Sequence, residues 1–563
     1  MALFNVNMEK RSFLLSQLIQ RLQRQKEPRE GQLFGFRTDD GRLLAIALCT
    51  NYGNLKHDKS LLHPVPLTCI GKFEVTKGDH SRPELQDNEI AVVWDQEDLH
   101  VYVSEDQQVS TSCFTELTEE DLAELFVLAR VTFTFDLTSR DAVVSIGNTI
   151  QTLVDQIESP STCFRLQEST LILQNKDGGV LSLGNQGGKG NVDIGSVIKG
   201  AKKKKASLHT VNFQMLQNRS TVNCRNAPVV RIDNRKSGIL STLFNGEAIV
   251  YLQKSCKVSQ VAALLAQGVV QQLHLAEYWL ERQLNDKKLC GDLISFNSLH
   301  FLSGHVVNVI YPDKSEEKSL EPYRKDVHEV LMFPMNQPMV KRGNRLPITE
   351  AKSSVLKNTH IGLKPSSVYG QISIVKGIYG YHHYMQDNFD DNKWGCAYRS
   401  LQTLVSWFRF QGYTEKPIPT HAEIQKCLVD IGDKPSSFLN SRQWIGSTEV
   451  GFVLDNLYNI SSRFIFVSSG ADLAEKGREL GHHFQTQGTP IMIGGGVLAH
   501  TIIGVDYNTE SGDISFLILD PHYTGSEDIN TIQNKGWCGW KGPEFWDPKA
   551  YYNLCLPQRP MCI

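Results

Sequence analysis

Apolar and polar positions along this chain follow two periods, and their order predicts a mixture of strands and helices. Alternating or continuous apolar runs over Leu43–Cys49, Glu89–Trp94 and Val131–Leu137 predict strands, because successive side chains of a strand point to opposite faces. Helical spacing over Glu119–Ala129 predicts a helix among them. Residues 1–175 are therefore expected to form an α+β region.

Glycine and lysine dominate residues 176–206, and the periodic pattern stops there. This composition predicts a loop or linker. It contains the run Lys202–Lys205, which is usually a solvated loop; nuclear import or binding to an anionic surface is the less favoured alternative. The amphipathic pattern of Val258–Gln283 then predicts a long helix within a second part of the N-terminal region, residues 207–340.

The pattern changes again in residues 341–563, where a buried helix is predicted to begin at or just after Cys396. The helix is expected to end near Gly412. Thr420 and Glu423 form a capping box that predicts the start of the next helix. The apolar positions behind the first prediction have helical spacing: Ala397, Leu401, Leu404, Val405 and Phe408.

Several strands are predicted after these helices. They cover Pro490–Ile493, Val497–Asp506 and Ile514–Leu519, with a turn at Asn508–Gly512. A helix that carries a cysteine, followed by a late antiparallel sheet, is the layout of papain-like proteases. The fold class predicted for the chain is therefore α+β, with a papain-like domain at its C-terminal end.

Length, charge and cysteine content limit the number of domains, the partners and the location expected for this chain. A chain of 563 residues is expected to form two or three domains. Its 58 Lys and Arg residues nearly balance 61 Asp and Glu, and this even charge argues against a nucleic-acid partner. The twelve cysteines include no CxxC pair, which is typical of a reducing compartment. With no apolar run long enough for a transmembrane helix and no secretory signal, a cytosolic location is expected.

Cys396 is the candidate nucleophile. A cysteine at a helix N-terminus faces the positive end of the helix dipole, which favours the thiolate. Such a thiol also needs a base and a group that orients the base. Asp520 and His522 supply both at the end of one strand, where residues two apart face the same way.

His500 is a competing candidate for the base. If the hairpin turns at Asn508–Gly512, His500 lies opposite Asp520. Spacing alone does not choose between His500 and His522, and a polar residue satisfied at a sheet edge is the alternative for each. The aromatic segment Gly380–Asp387 could place a donor over the thiolate, although packing on the core is the favoured interpretation of its pattern.

The C-terminal motifs resemble those of the ubiquitin-fold modifier 1-specific proteases, in particular the longer, second type of this family. The resemblance covers the last third of the chain almost continuously, whereas the N-terminal part is similar only loosely. It rests on the following segments: Gly377–Asp387, Asp391–Thr403, Ser441–Gly446, Gly494–Thr501, Leu519–Gly525 and Gly536–Pro543.

The resemblance implies a catalytic triad of Cys396, His522 and Asp520. It implies that the hydroxyl of Tyr384 acts as an oxyanion-hole donor beside the backbone N–H of Cys396. It thereby favours His522 as the base and leaves His500 as a supporting or structural residue.

Two tryptophans are candidates for the substrate-binding slot. Trp394 and Trp444 could form walls that admit a glycine-ended tail, although tryptophan is more often a core residue. The resemblance implies no cofactor and no metal.

The implied activity is cleavage after the C-terminal glycine of ubiquitin-fold modifier 1, both in its precursor and in its protein conjugates. The resemblance also implies a modified metalloprotease-like (MPN) fold in the N-terminal region, and recruitment to the endoplasmic reticulum by a membrane-bound adaptor. An autophagy-type protease and a scaffold with a vestigial protease domain are the alternatives.

Overall fold

The chain divides into two compact units, Met1–Met335 and Asn336–Ile563. The predicted boundaries at 175, 206 and 340 stay predictions, and Lys202–Lys205 lies outside the described residues. The computed structural model describes residues 12–38, 41–78, 81–105, 108–139, 144–167, 169–176, 179–182, 191–198, 208–217, 240–285, 291–346 and 355–561.

The described residues of the first unit form two eight-stranded sheets. In the first sheet the strands lie in the order β7-β6-β5-β4-β2-β3-β1-β8. The helices in this part of the chain are α1 (Ser16–Gln23), α2 (Glu119–Leu125) and a short 3₁₀ helix, Lys59–Leu62. The strands are β1 (Ser12–Leu15), β2 (Arg29–Arg37), β3 (Leu43–Thr50), β4 (Thr68–Val75), β5 (Ile90–Trp94), β6 (Leu99–Glu105), β7 (Gln108–Thr111) and β8 (Phe114–Leu117).

The second sheet has the order β12-β11-β10-β13-β9-β14-β15-β16. Its helices are α3 (Val144–Glu158), α4 (Ile194–Val197), α5 (Val258–Asn285) and α6 (Glu317–Val330). The strands are β9 (Phe126–Ser139), β10 (Thr162–Leu166), β11 (Leu171–Gln174), β12 (Val180–Ser182), β13 (Thr210–Gln217), β14 (Leu240–Gln253), β15 (Leu293–Leu299) and β16 (Val306–Pro312). Because β13 pairs with both β9 and β10, strands from both sides of the predicted linker share one sheet.

One helix prediction for the first unit is wrong in extent. The predicted helix Glu119–Ala129 ends at Leu125, because the next residues pair with β14 and are buried in the sheet. Long-range pairing has overridden local spacing there. The long helix α5 and the strand β3 are confirmed.

The second unit is built on one seven-stranded sheet with the order β18-β23-β19-β20-β21-β22, and β17 also pairs with β20. The helices are α7 (Cys396–Phe410), α8 (His421–Asp430), α9 (Ser447–Tyr458), α10 (Gly477–Thr486) and α11 (Ile529–Asn534). The strands are β17 (Gln371–Ile374), β18 (Ser462–Val467), β19 (Ile491–Gly495), β20 (Leu498–Tyr507), β21 (Ile514–Leu519), β22 (Cys538–Lys541) and β23 (Tyr552–Pro557). Short 3₁₀ helices cover Arg342–Asn344, Gln386–Asn388, Ser436–Phe438, Gly470–Lys476 and Pro543–Phe545.

Helix α7 is the central helix of this unit. It begins at Cys396, as predicted, and every residue from there to Phe408 is buried. The helix packs on β19 and β20. Thr420 and Glu423 form the predicted capping box at the start of α8. A cysteine at the first position of a fully buried helix is therefore fixed relative to the sheet.

The β20–β21 hairpin sets the position of the predicted catalytic carboxylate. Thr501 pairs with Leu519 and Ile502 with Ile518, which confirms the predicted register. The pairing shifts by one residue at Gly504, where a side chain would collide with Ile374. None of the helices in the described part of the chain has the length and apolar character that crossing a bilayer requires.

Candidate active site

Cys396 occupies the N-terminus of α7, where its side chain is 8% exposed. Gly395 precedes it at the cap position, and a side chain there would collide with Asp391. Burial raises the pKa of Cys396, but hydrogen bonds from His522, Tyr384 and the backbone of Ala499, together with the charge of His522, lower it below its usual value. The site therefore favours a thiolate despite its burial.

His522 is held by Asp520. Nδ1–H of His522 donates to Oδ1 of Asp520 at 2.6 Å, and the backbone N–H of His522 donates to the same oxygen at 2.9 Å. Burial lowers the pKa of His522, but the hydrogen bonds to Asp520 and Cys396 outweigh burial and raise the pKa to about 9. The carboxylate thus fixes the tautomer and stabilises the imidazolium.

The thiol and the imidazole are close enough for each to shift the pKa of the other. Nε2 of His522 is nevertheless buried without a hydrogen-bond partner of normal distance and angle among the described residues. Catalytic hydrogen bonds are often long in free enzymes and shorten when substrate binds. This nitrogen is therefore available to exchange a proton with the sulfur or with a leaving group.

Tyr384 lies against both Cys396 and His522. Its ring meets the His522 ring edge-on, with centroids 5.3 Å apart, and its backbone N–H donates to the carbonyl of Pro521 at 2.9 Å. Burial, followed by the charge of Cys396, raises the pKa of the Tyr384 hydroxyl. The hydroxyl therefore keeps its proton beside the backbone N–H of Cys396, as a predicted oxyanion donor must.

His500 lies beside Asp520 but does not take the position of the base. Its Nε2 is 3.9 Å from Oδ2 of Asp520, and burial lowers its pKa to about 4, so the ring is neutral. Atoms of His500, Asp520 and His522 lie within 4.8 Å of one another. In a tetrahedral zinc site the ligand atoms lie about 3.3 Å apart, because each bond to the metal is about 2.0 Å long. The distance of 2.6 Å between Nδ1 of His522 and Oδ1 of Asp520 is shorter, and it fits a hydrogen bond within a triad.

The two predicted slot tryptophans differ in their surroundings. Trp394 is 7% exposed and packs edge-on against Tyr398, with ring centroids 5.3 Å apart. Trp444 is 56% exposed, and its indole N–H donates to the carbonyl of Lys393 at 3.4 Å. Trp444 therefore lies over the residue next to Trp394, and the structure brings both rings to the segment that precedes Cys396.

A buried ion-pair network, which no sequence pattern indicated, anchors the Tyr384 segment to α7. Asp391 accepts hydrogen bonds from Nε of Arg399 at 2.6 Å and from the backbone N–H of Met385 at 2.8 Å, and lies 3.1 Å from Nε2 of His421. Burial raises the pKa of Asp391, but these partners outweigh burial and lower it. Met385 has φ of +64°, and the network holds this strained backbone in place.

A second missed pair joins the Tyr384 segment to the chain beyond His522. Nδ1 of His383 lies 2.9 Å from the carbonyl of Tyr384 and 3.1 Å from that of Tyr523, and Nε2 lies 3.1 Å from Oε1 of Glu527. The motif His382–Tyr384 was visible in the sequence, but its partner Glu527 is more than a hundred residues away. No local pattern in the sequence indicates this link.

Comparisons with known proteins cover both units. Residues 370–555 match the family model described as peptidase family C78. Residues 192–352 match the model described as ubiquitin-fold modifier 1 specific protease 2, N-terminal. The first match contains the whole candidate active site. Mixed α and β structure with a papain-like C-terminal region and an N-terminal extension is therefore the fold class of the chain.

Relatives at high identity include Ufm1-specific protease 2 of Homo sapiens, which is 46% identical over 368 residues, 64% of this chain and 78% of that protein. The Mus musculus protein of the same name is 45% identical over 373 residues, 65% of this chain and 80% of its own length. The crystal structure of UfSP from C. elegans aligns with a TM-score of 0.63 and 25% identity, over 98% of this chain and all of that one. The chain thus belongs to the Ufm1-specific protease 2 family and is a cysteine protease.

Proposed function

We propose that this chain cleaves after the C-terminal glycine of ubiquitin-fold modifier 1, which both matures the precursor and releases the modifier from conjugated proteins. The observation that carries the proposal is the combination of a pKa-lowered Cys396 with the His522–Asp520 pair. The names of the relatives, Ufm1-specific protease 2, support the choice of substrate.

The reaction proceeds by acyl transfer in two halves. The Cys396 thiolate attacks the carbonyl carbon of the terminal glycine, and the oxygen takes up the negative charge beside Tyr384. His522 gives its proton to the departing amine as the C–N bond breaks, which leaves a thioester. Water then loses a proton to His522 and attacks the thioester, and the modifier leaves with a free carboxylate while the sulfur is restored.

Trp394 and Trp444 are proposed as walls of the slot that receives the glycine-ended tail. Trp394 lies two residues before Cys396, and the contact of Trp444 with Lys393 brings the second ring to the same segment, which supports this role. His500 is proposed as a neutral neighbour that keeps Asp520 directed at His522, because it lies beside the carboxylate and is uncharged.

The N-terminal unit is proposed to recruit the enzyme to the endoplasmic-reticulum surface by binding a membrane-bound adaptor. The proposed location is therefore the cytoplasmic side of this membrane. The run Lys202–Lys205 is a candidate signal for import of a fraction of the protein into the nucleus. The family resemblance supports recruitment through the adaptor, and the charge of the lysine run is the ground for the nuclear fraction. A fluorescent fusion that stays evenly cytoplasmic with and without residues 1–335 would contradict recruitment by this unit.

A cleavage assay with two purified precursors tests the substrate. Wild-type enzyme is incubated with the precursor of ubiquitin-fold modifier 1 and, separately, with that of an autophagy-type modifier. We expect cleavage of the first alone, with Cys396→Ser as the matched inactive control. Cleavage of the second alone would transfer the chain to the autophagy-type alternative. Failure of a modifier-tail activity probe to label Cys396 would favour the scaffold alternative.

A further inference from the structure

The Tyr384 segment, residues 381–386, is bound to residues 520–527, which contain the aspartate and the histidine of the triad. The backbone N–H of Tyr384 donates at 2.9 Å to the carbonyl of Pro521, which lies between that aspartate and that histidine. The two segments are far apart along the chain. The oxyanion donor and the base are therefore held in register by contacts between these segments.

Glu527 joins the two segments at a further point. Its Oε1 accepts from Nε2 of Gln386 at 2.6 Å and lies 3.1 Å from Nε2 of His383. Burial raises the pKa of Glu527, but hydrogen bonds with His383 and Gln386 are the main contacts that outweigh burial and lower it. His383 precedes Tyr384 and Gln386 follows it. One carboxylate oxygen therefore binds side chains on both sides of the oxyanion donor.

Both partners of Glu527 also hold the backbone around Tyr384. Nδ1 of His383 lies 2.9 Å from the carbonyl oxygen of Tyr384, so this nitrogen donates. The Gln386 amide oxygen accepts from the backbone N–H of His383 at 3.1 Å, and its Nε2 donates to the carbonyl of Tyr381 at 3.1 Å. Fixing the two side chains thus fixes the peptide units on which the Tyr384 ring is mounted.

The backbone after Tyr384 is strained and depends on such support. Met385 has φ of +64°, a region that residues other than glycine adopt at a cost. His383 is 1% exposed and Gln386 is 9% exposed, so water does not readily replace their partner. Without the carboxylate of Glu527, the Nε2 hydrogen of His383 and one amide hydrogen of Gln386 would lose their acceptor. The segment could then relax away from this conformation.

We propose that Glu527 is a positioning residue for the oxyanion hole. By holding His383 and Gln386, it keeps the Tyr384 hydroxyl at the place where the carbonyl oxygen of the scissile bond becomes negative. Glu527 acts through Tyr384 and not on the substrate. The inference rests on the protease function proposed above, and it adds a residue outside the sequence segments on which the family resemblance depends.

Steady-state kinetics of the full-length enzyme with the modifier precursor provides the test. Glu527→Ala removes the shared acceptor, and Glu527→Asp keeps the charge but withdraws the oxygen by one methylene group. Glu479→Ala is the matched control, because the Glu479 side chain is 30% exposed, against 28% for Glu527, and is likewise paired, with Arg463. Each variant is made both in the wild-type enzyme and in Tyr384→Phe.

We expect Glu527→Ala and Glu527→Asp to lower kcat roughly tenfold and to change KM by less than about twofold, because a displaced donor is missed chiefly in the transition state. In the Tyr384→Phe enzyme the same changes should lower kcat by less than about twofold, because the hydroxyl that they position is already absent. A role in stability alone would lower Tm without this dependence on the hydroxyl. Glu479→Ala should leave kcat unchanged in both enzymes. Should Glu527→Ala fail to fold, Glu527→Asp decides the result.

Equal losses of kcat with and without the Tyr384 hydroxyl would overturn the inference, as would Glu527 variants with the kcat of the control. Failure of the proposed function looks different, because the wild-type enzyme then leaves the precursor intact.

Alkylation of Cys396 by iodoacetamide tests the inference without any substrate. Burial raises the pKa of Cys396, and hydrogen bonds from His522 and Tyr384 are among the contacts that lower it. Glu527→Ala should therefore shift the pH profile of labelling to higher pH in the wild-type enzyme and leave the profile of Tyr384→Phe in place. A profile of Glu527→Ala identical to that of the wild type would overturn the positioning role.

Discussion

Each unit of this protein contains a buried cysteine in contact with a histidine, and only one of the two pairs is built for catalysis. In the first unit, Sγ of Cys49 lies 3.1 Å from Nε2 of His63. Burial raises the pKa of Cys49 and, with the charge of Arg21, lowers that of His63 to about 3. Both groups are therefore neutral at physiological pH.

The pair in the second unit consists of the same two residue types, and what differs is its surroundings. Cys396 starts a helix, whereas Cys49 lies within the strand β3. Asp520 binds Nδ1 of His522, whereas Nδ1 of His63 has no hydrogen-bond partner among the described residues. Proximity of a thiol and an imidazole is thus not enough to form a thiolate and an imidazolium. A carboxylate and a helix N-terminus are needed to stabilise the two charges against burial.

The largest difference between the pairs is expected from replacing the sulfur. Cys396→Ser should lower kcat/KM for the modifier precursor by roughly 10³-fold or more, because the serine hydroxyl stays protonated. Cys49→Ser, the matched control in the first unit, should leave kcat/KM unchanged. A comparable loss in both variants would show that the comparison between the pairs is wrong.

Replacing the imidazoles should separate the pairs next. His522→Ala is expected to lower kcat by about 10²- to 10⁴-fold, because general acid and base are both removed. His63→Ala should leave kcat unchanged, and His500→Ala should cost roughly tenfold or less, since His500 packs beside Asp520 and His522 and is proposed only to orient them. Steady-state kinetics of the three variants measures this. Retention of activity in His522→Ala with its loss in His500→Ala would reassign the base.

The variant Tyr384→Phe tests the role of the phenol hydroxyl that lies beside Cys396. Removing one oxyanion donor should lower kcat by about 10²-fold with little change in KM, because the hydrogen bond forms with the transition state. The ring stays in place against His522, so packing is preserved. A rise in KM at constant kcat would assign Tyr384 to substrate binding instead.

The smallest expected difference between the two thiols is in the pH dependence of their alkylation. Because its pKa is lowered, Cys396 should react with iodoacetamide at pH 7, and its rate should fall as pH drops through that lowered pKa. Cys49, whose pKa is raised, should stay unmodified in the folded chain.

Cleavage activity should decline as pH rises through about 9, where His522 loses its proton. Mass spectrometry of labelled peptides, with activity at matched pH, measures both trends.

Much of the candidate site was accessible from sequence because its parts are local. The start of α7 at Cys396, the Asp520–His522 spacing and the hairpin register all follow from residues near one another in the chain. The network of Asp391 and Arg399 was missed although the two residues are only eight apart, since a charged pair gives no periodic signal. The link from His383 to Glu527 spans 144 residues and has no local trace.

The amino-acid sequence by itself predicted the start of α7 at Cys396, the start of α8 and the register of the β20–β21 hairpin, because these depend on side-chain spacing over a few residues. It also predicted too long a helix at Glu119–Ala129, where pairing with β14 prevailed. Only the tertiary structure places a protonated His522 beside Cys396, leaves Cys49 beside a neutral His63, and keeps His500 uncharged. Charge in a buried site depends on desolvation and on partners that folding brings from distant parts of the chain.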